Sequence, residues 1–342
     1  MPELLEVRPE GIYCSQGGFF VDPWRPVAKA VITHAHSDHA RPGMQHYLAH
    51  HHTVPILRLR LGEHISATGV GYGEVTEING VKISLHPAGH IIGSAQVKIE
   101  YRGEIWVVSG DYKTTNDGYC EPFESVACHT FITESTFGLP IFSWKPQTEL
   151  FDSLNAWWKQ NQSEGKTSMV LCYSLGKAQR VLHGLDTGIG KIYTHGSIEN
   201  TNQCLRNNGH FINETIKVDY YTQKKDMEGA LVLAPPGAVN TPWMKRFSNV
   251  TTASVSGWMA MRGTRRRQNT DFGIPLSDHA DWSGLLDAVK STGAQRVLVT
   301  HGYASSFAQY LRELGLNAQP LSTEFGETDA PDIISDETSQ TG

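Results

Sequence analysis

Short apolar or alternating runs, each closed by a polar or glycine-containing loop, dominate the first part of the chain. They are Gly18-Phe19-Phe20-Val21, Ala30-Val31-Ile32-Thr33, Val81-Lys82-Ile83-Ser84-Leu85, Ile105-Trp106-Val107-Val108 and Thr130-Phe131-Ile132-Thr133. Runs of this length bounded by turn residues predict buried strands. After about Trp144 the pattern changes to alternating helix and strand. Leu150, Leu154 and the Trp157/Trp158 pair fall at helical spacing over 149–159, and a helix is also expected over 177–185. Strands are expected over 168–172, 192–193, 230–233 and 250–253. From Pro275 onward the pattern predicts a helix over 281–290, a strand over 296–300 and a helix over 305–314. The residues from Ser322 are acidic, polar and poor in large apolar side chains, so a loose tail is expected there.

Composition sharpens this picture at four points. With 342 residues and 39% hydrophobic content, the chain can bury a sizeable core in two domains or one large one. No run reaches the roughly 18 apolar residues of a membrane span, and Met1-Pro2-Glu3-Leu4-Leu5-Glu6 lacks the basic and apolar regions of a secretory leader. A cytoplasmic protein is therefore expected. Cys14, Cys120, Cys128, Cys172 and Cys204 are scattered without a CxxC pair, which suits reduced thiols better than a disulfide framework. The net charge of -6 means that any hold on nucleic acid must come from a local basic patch or from metal ions.

The 16 histidines are the anomaly, because several are clustered. Thr33-His34-Ala35-His36-Ser37-Asp38-His39 follows a predicted buried strand directly, on the kind of loop where ligands are displayed. Alternation in an extended segment points His34 and His36 to one side, and the following turn can aim Asp38 and His39 at a second point. Imidazole with carboxylate suits zinc or another first-row divalent ion. His90, in Gly89-His90-Ile91-Ile92-Gly93, and Asp111, in Ser109-Gly110-Asp111-Tyr112, each sit after an apolar strand. Either residue alone would read as a surface histidine or a turn former; the combination gives them weight.

HxHxDH, a histidine in a glycine-rich loop and a strand-end aspartate together resemble the metallo-β-lactamase superfamily. That resemblance implies a four-layer αββα sandwich with two metals at one edge, and Asp22 matches the early aspartate that orients the metal loop. Further motifs follow in order. Thr133-Glu134-Ser135-Thr136-Phe137-Gly138 resembles motif A of the β-CASP nucleases, Ser277-Asp278-His279-Ala280-Asp281 resembles motif B, and Thr300-His301-Gly302 resembles motif C. Tyr173-Ser174-Leu175-Gly176-Lys177 resembles the helix start of their inserted domain. The implied layout is a metallo-β-lactamase domain over 1–145, an inserted α/β β-CASP domain over 146–270, the return of the first domain over 271–321 and the tail over 322–342.

By the same resemblance, His34, His36 and His90 would hold one ion, Asp38, His39 and His301 the other, and Asp111 would bridge them. The ions would be Zn2+, with Mn2+ as the alternative. His279 would protonate the leaving oxygen, with Glu134 fixing its tautomer and favouring its charged form. Within the branch, His301 is shared with RNA-cleaving members, whereas Gly257-Trp258 is similar to the DNA-repair members. The polar motif B and the short chain are most similar to bacterial ligase-associated DNA exonucleases, which accompany an ATP-dependent DNA ligase and a helicase. Tyr303 departs from the acidic residue that often follows motif C. Expected substrate contacts are Ser135, Thr136, Ser174, Lys177 and the exposed-loop run Arg265, Arg266 and Arg267, the last with a solvated loop as its plain alternative. The expectation is a DNA exonuclease working from the 5′ end. The alternatives are an RNA-processing nuclease of the same branch, a thioester or lactam hydrolase, and a non-catalytic scaffold. His50-His51-His52 reads as a surface turn.

Overall fold

The computed structural model describes residues 3–268 and 270–322. They fall into two compact units, one built from residues up to Ser143 together with those from His279 onward, the other from Trp144 to Asp278.

The first unit opens with a six-stranded sheet of β1 (Glu6–Arg8), β2 (Gly11–Cys14), β3 (Phe19–Val21), β4 (Lys29–Val31), β5 (His46–His50) and β6 (Ala67–Val70), in that order. Helix α1 (Thr53–Leu61) follows β5 and packs against β5 and β6. A second sheet begins with the antiparallel strands β7 (Val75–Ile78), β8 (Val81–Pro87), β9 (Ala95–Tyr101) and β10 (Glu104–Val108), and β11 (Thr130–Glu134) then joins β10 in parallel.

The second unit is an α/β unit around a sheet whose paired strands all run parallel. Its elements are α2 (Gln147–Ser163), β12 (Thr167–Leu171), α3 (Lys177–Gly184), β13 (Ile192–Thr194), α4 (Gly196–Asn207), β14 (Ile216–Lys217), β15 (Leu231–Ala234), β16 (Val250–Val255), α5 (Arg262–Gln268) and β17 (Phe272–Ile274). The strand order is β14-β13-β15-β12-β16-β17. Strand β17 pairs with β16 from Ala253↔Phe272 to Val255↔Ile274, so this unit runs past residue 270, the expected boundary, to Asp278. Three residues with one large apolar side chain at each end were too short a run to read as a strand; the backbone pairing makes it one.

The chain then returns to the first unit as α6 (Trp282–Thr292), β18 (Arg296–Thr300), α7 (Ala304–Glu313) and β19 (Asn317–Pro320), which completes the second sheet in the order β19-β18-β11-β10-β9-β8-β7. The continuous apolar runs of its central strands are explained by burial on both faces. Trp106, Val108, Ile132 and Leu298 pack against Ile12, Val21, Val31 and Leu48 of the first sheet. Their neighbours Val107, Phe131, Val297 and Val299 face the other way, onto Leu285, Ala288 and Val289 of α6 and Phe307, Ala308 and Leu311 of α7. Successive side chains on a strand point to opposite faces, so every position finds an apolar partner. Because β10, β11 and β18 are parallel and in register (Val108↔Ile132↔Leu298), their C-terminal ends lie side by side. Asp111, Glu134 and His301 sit at those ends. The expected tail lies, apart from Ser322, outside the described residues. All five cysteines are free thiols. Among the described residues no helix is long and apolar enough to cross a membrane.

Candidate metal centre

The loop after β4 carries His34, His36, Asp38 and His39, and three anchors shape it. Asp22, just past β3, adopts a left-handed backbone (φ 42°). Its carboxylate accepts from the Thr33 N–H at 2.8 Å, from the Thr33 hydroxyl at 2.5 Å and from His39 Nδ1 at 2.7 Å. Arg60 of α1 donates to the Ala35 carbonyl. These bonds also settle proton positions. A carboxylate only accepts, so His39 carries its proton on Nδ1 and turns Nε2 inward. The Thr33 hydroxyl spends its proton on Asp22 and therefore accepts from His34 Nδ1 at 3.1 Å, which leaves His34 Nε2 as a lone pair. Thr33, Asp22 and Arg60 thus preset the loop before any ligand arrives. The sequence motif pointed to Asp22; nothing in it marked Thr33 or Arg60.

His90 joins from the loop between β8 and β9. Gly89 precedes it with φ 73°, and a Cβ there would stand 2.4 Å from the Lys113 carbonyl oxygen, so the close approach requires glycine. Ser94 Oγ accepts from the His90 N–H at 3.1 Å and fixes the loop. His34 Nε2 and His90 Nε2 each lie 3.1 Å from His36 Nδ1, and 3.6 and 3.7 Å respectively from Asp111 Oδ2. A tetrahedral ion with bonds of about 2.0–2.1 Å separates its ligand atoms by about 3.3 Å. The observed spacings bracket that value, so these four residues fit a first-row divalent cation.

The other carboxylate oxygen of Asp111 faces a second donor set. Asp111 Oδ1 and Asp38 Oδ2 each lie 3.4 Å from His39 Nε2, and the His301 ring stacks on that of His39 with centroids 5.1 Å apart. Asp38, His39 and His301 bring their ligand atoms within 4.8 Å of one another, and these residues also line a cavity with Asp22 and Thr300. His301 holds φ 57°, a strained conformation for a non-glycine residue. Gly302 follows at φ 63°, where a Cβ would meet the Ser135 carbonyl oxygen at 2.5 Å.

Electrostatics fit the same reading. Burial, reinforced by the neighbouring His39, pushes His34 well below the ordinary histidine range, so it is neutral as a ligand must be. Burial disfavours charge on His39, yet Asp38 and Asp111 outweigh it and raise that imidazole well above its ordinary value. Burial likewise opposes charge on Asp111 and Asp38, and His39 overcomes it, holding both carboxyls below the usual range. The buried Asp111 and half-buried Asp38 carboxylates call for a positive charge between them, which a cation would supply.

Beside Asp111 stands a further pair. His279 Nδ1 donates to Glu134 at 2.9 Å (Oε2) and 3.0 Å (Oε1), and Glu134 Oε1 accepts the Tyr112 N–H at 2.7 Å. Glu134 is buried, so its orientation is fixed. The His279 ring lies 4.6 Å from that of His90, between centroids. Asp111, Glu134 and His279 bring ligand-capable atoms within 4.8 Å.

The expected substrate contacts fare differently. Ser135 is buried, and its hydroxyl donates to the His301 carbonyl at 2.5 Å, so it braces the loop carrying His301 instead of facing outward. Thr136 is half-buried, with its N–H 3.4 Å from Glu134 Oε2. In the second unit, Lys177 is buried and donates to Asp278 Oδ1 at 2.6 Å and to the Leu276 carbonyl at 3.0 Å. Two of the three N–H groups of this ammonium are thus spent within the second unit. Ser174 Oγ lies 2.8 Å from Ser197 Oγ, in the first turn of α4. Arg265, Arg266 and Arg267 are exposed on α5, a short helix where a loop was expected, and Arg265 donates to the Gly273 carbonyl at 2.8 Å.

No family model matches the chain. A protein of Opitutus terrae named "Probable DNA ligase" is 30% identical over 317 residues, covering 92% of this chain and 31% of that protein. The "Endoribonuclease YSH1" of Eremothecium gossypii is 21% identical over 310 residues, covering 74% of this chain and 40% of that one. An "RNase aCSPSF2" of Saccharolobus solfataricus is 29% identical over 116 residues, or 33% of this chain and 23% of that protein. The chain therefore spans well under half the length of these curated relatives. A crystal structure of a protein of unknown function from Enterococcus faecalis V583 shares the fold, with a TM-score of 0.58 at 12% identity over 89% of this chain and 79% of that one.

Proposed function

We propose that this chain is a metal-dependent nuclease of the β-CASP branch of the metallo-β-lactamase superfamily, hydrolysing phosphodiester bonds in DNA. One observation carries the reading: Asp111 offers its two oxygens to two separate donor sets while the His279–Glu134 pair stands beside it. A thioester or lactam hydrolase has no need of that pair or of a second α/β unit. Similarity to two ribonucleases and to a protein named as a DNA ligase supports nucleic acid as the substrate. The two-sheet unit is read as the αββα sandwich of that superfamily and the second unit as its inserted domain.

His34, His36 and His90 would hold one divalent cation and Asp38, His39 and His301 the other, with Asp111 shared. Zn2+ suits the nitrogen-rich donors, and Mn2+ is the alternative. When bound, such ions activate water and stabilise charge on phosphate oxygens. The chain's own contribution is the proton. Glu134 accepts from His279 Nδ1, so the proton given to the leaving oxygen comes from Nε2. Asp22 and Thr33 keep the ligand tautomers in place.

Exonuclease action from the 5′ end, in repair beside an ATP-dependent ligase and a helicase in the cytoplasm, rests on the likeness of motif B to that of ligase-associated exonucleases. Similarity over most of its length to part of a protein named as a DNA ligase supports that placing. An RNA-processing role is the second reading, favoured by His301 in its motif and by the endoribonuclease relatives. Purified protein with Mn2+ or Zn2+ should shorten 5′-labelled DNA to mono- or short oligonucleotides. Cleavage of RNA alone would transfer the reading to the second, and cleavage of neither would end both.

A further inference from the structure

A second group of histidines lies apart from the metal centre, in the first unit. His50 ends β5, His51 follows, and His52 precedes α1. On a continuing strand, consecutive side chains would point to opposite faces. Here the turn into the helix folds them together. Ring centroids lie 4.1 Å apart for His50–His51 and His51–His52 and 4.9 Å apart for His50–His52. Their ligand-capable nitrogens fall within 4.8 Å of one another. A carboxylate stands beside this group, with Glu121 Oε1 3.6 Å from His52 Nδ1.

The backbone is shaped for this gathering. Gly69 of β6 lies against it so closely that a Cβ would stand 2.9 Å from His51 Cα. His50 is buried and stacks on the Tyr72 ring at 3.7 Å, while His51 is exposed and His52 half-buried. The cluster thus has a fixed floor and an open mouth. Three imidazoles brought together this way repel one another if protonated, and His50 Nδ1 accepts the His52 N–H at 3.4 Å, so Nε2 is the nitrogen left to His50 as a ligand atom.

We propose that His50, His51, His52 and Glu121 form a separate binding site for a borderline divalent cation such as Zn2+ or Ni2+. Imidazole donors with a single carboxylate favour such ions over Mg2+ and Ca2+, which take oxygen ligands. The site's place in the fold gives it a consequence. Thr53, the next residue, donates through Oγ1 to the Gly93 carbonyl at 2.7 Å, and Tyr72 donates through its hydroxyl to the Ser94 carbonyl at 2.9 Å. Both bonds hold the loop that carries His90, so an ion here braces that loop from behind. The proposal is independent of the substrate.

Native mass spectrometry of the full chain with zinc as the only added metal tests it. His36→Ala, Asp38→Ala and Asp111→Asn together disable the first centre, and one zinc per chain is expected to remain. Adding His51→Ala and Glu121→Gln, which alter side chains with solvent exposure, should remove it, with at least a tenfold rise in the dissociation constant by calorimetry. In the otherwise native chain the same two substitutions should lower the zinc count by one, which keeps the test valid if the multiple variant does not fold. The proposal is overturned if no zinc remains in the first variant. It is equally overturned if His51→Ala with Glu121→Gln changes neither count nor affinity. Failure of the nuclease reading would appear elsewhere, in a zinc count unchanged by Asp111→Asn alone or in absent cleavage.

Discussion

At the scale of single residues, two side chains separate a two-ion nuclease from a generic metal protein. Asp111 presents one oxygen to each donor set, so Asp111→Asn removes the charge they share while keeping the shape. The variant is expected to fold, to hold fewer metal ions by elemental analysis and to lose cleavage; full activity would sink the two-ion mechanism. His279 has the complementary signature. A phosphodiester's leaving alkoxide is a strong base, and general acid help is worth about a hundred- to ten-thousandfold. His279→Ala should lose activity on that scale while keeping its ions, and the loss should shrink for a nitrophenyl phosphodiester, whose leaving group needs no proton. Equal losses on both substrates, or loss of an ion, would make His279 a ligand or a structural residue.

At the scale of elements, the start of α3 is an anchor. Lys177 and Asp278 form a buried ion pair, and Asp278 directly precedes His279 in the chain. Removing one partner of such a pair strands the other, at about 3–5 kcal/mol. Lys177→Ala should therefore unfold the second unit at markedly lower denaturant, and Lys177→Met with Asp278→Leu should restore much of that loss. A mild effect of Lys177→Ala on stability, with a large one on nucleic-acid affinity, would return Lys177 to the substrate. Helix α5 poses the opposite question, because its arginines are exposed. If Arg265, Arg266 and Arg267 contact phosphates, neutralising them should weaken binding and flatten its salt dependence by about one unit per lost contact. Unchanged affinity and slope would leave them as a solvated helix face.

For the whole molecule, the candidate metal centre draws on both sheets of the first unit. Its candidate ligands come from the loops after β4, β8, β10 and β18, so bound ions would cross-link segments that are distant in the sequence. Ions that bind only the folded chain stabilise it by mass action. Stripping them with a chelator should lower the first unit's unfolding temperature, and zinc should restore it. Calorimetric traces identical with and without chelator would show that the centre holds no ion tightly.

The sequence determined which residues could do chemistry and, through apolar runs, most of the central strands. HxHxDH, His90 and Asp111 were legible because ligand types at strand ends have no use in a core, whereas Glu134, His279 and His301 were legible only through the motifs they resemble. It could not determine what each donor touches. Ser135 and Lys177 carried motifs that read as substrate contacts, yet tertiary packing spent their polar atoms on the His301 carbonyl and on Asp278. The short strands β1, β2, β5 and β17 and the polar helix α4 escaped notice, since backbone pairing and burial against distant residues hold them, with little local periodicity. The gathering of His50, His51 and His52 was likewise invisible, because adjacent residues diverge on a strand and only the turn into α1 brings them to one side. Local chemistry is written along the chain. Convergence is decided by which strand ends the folded sheets bring together.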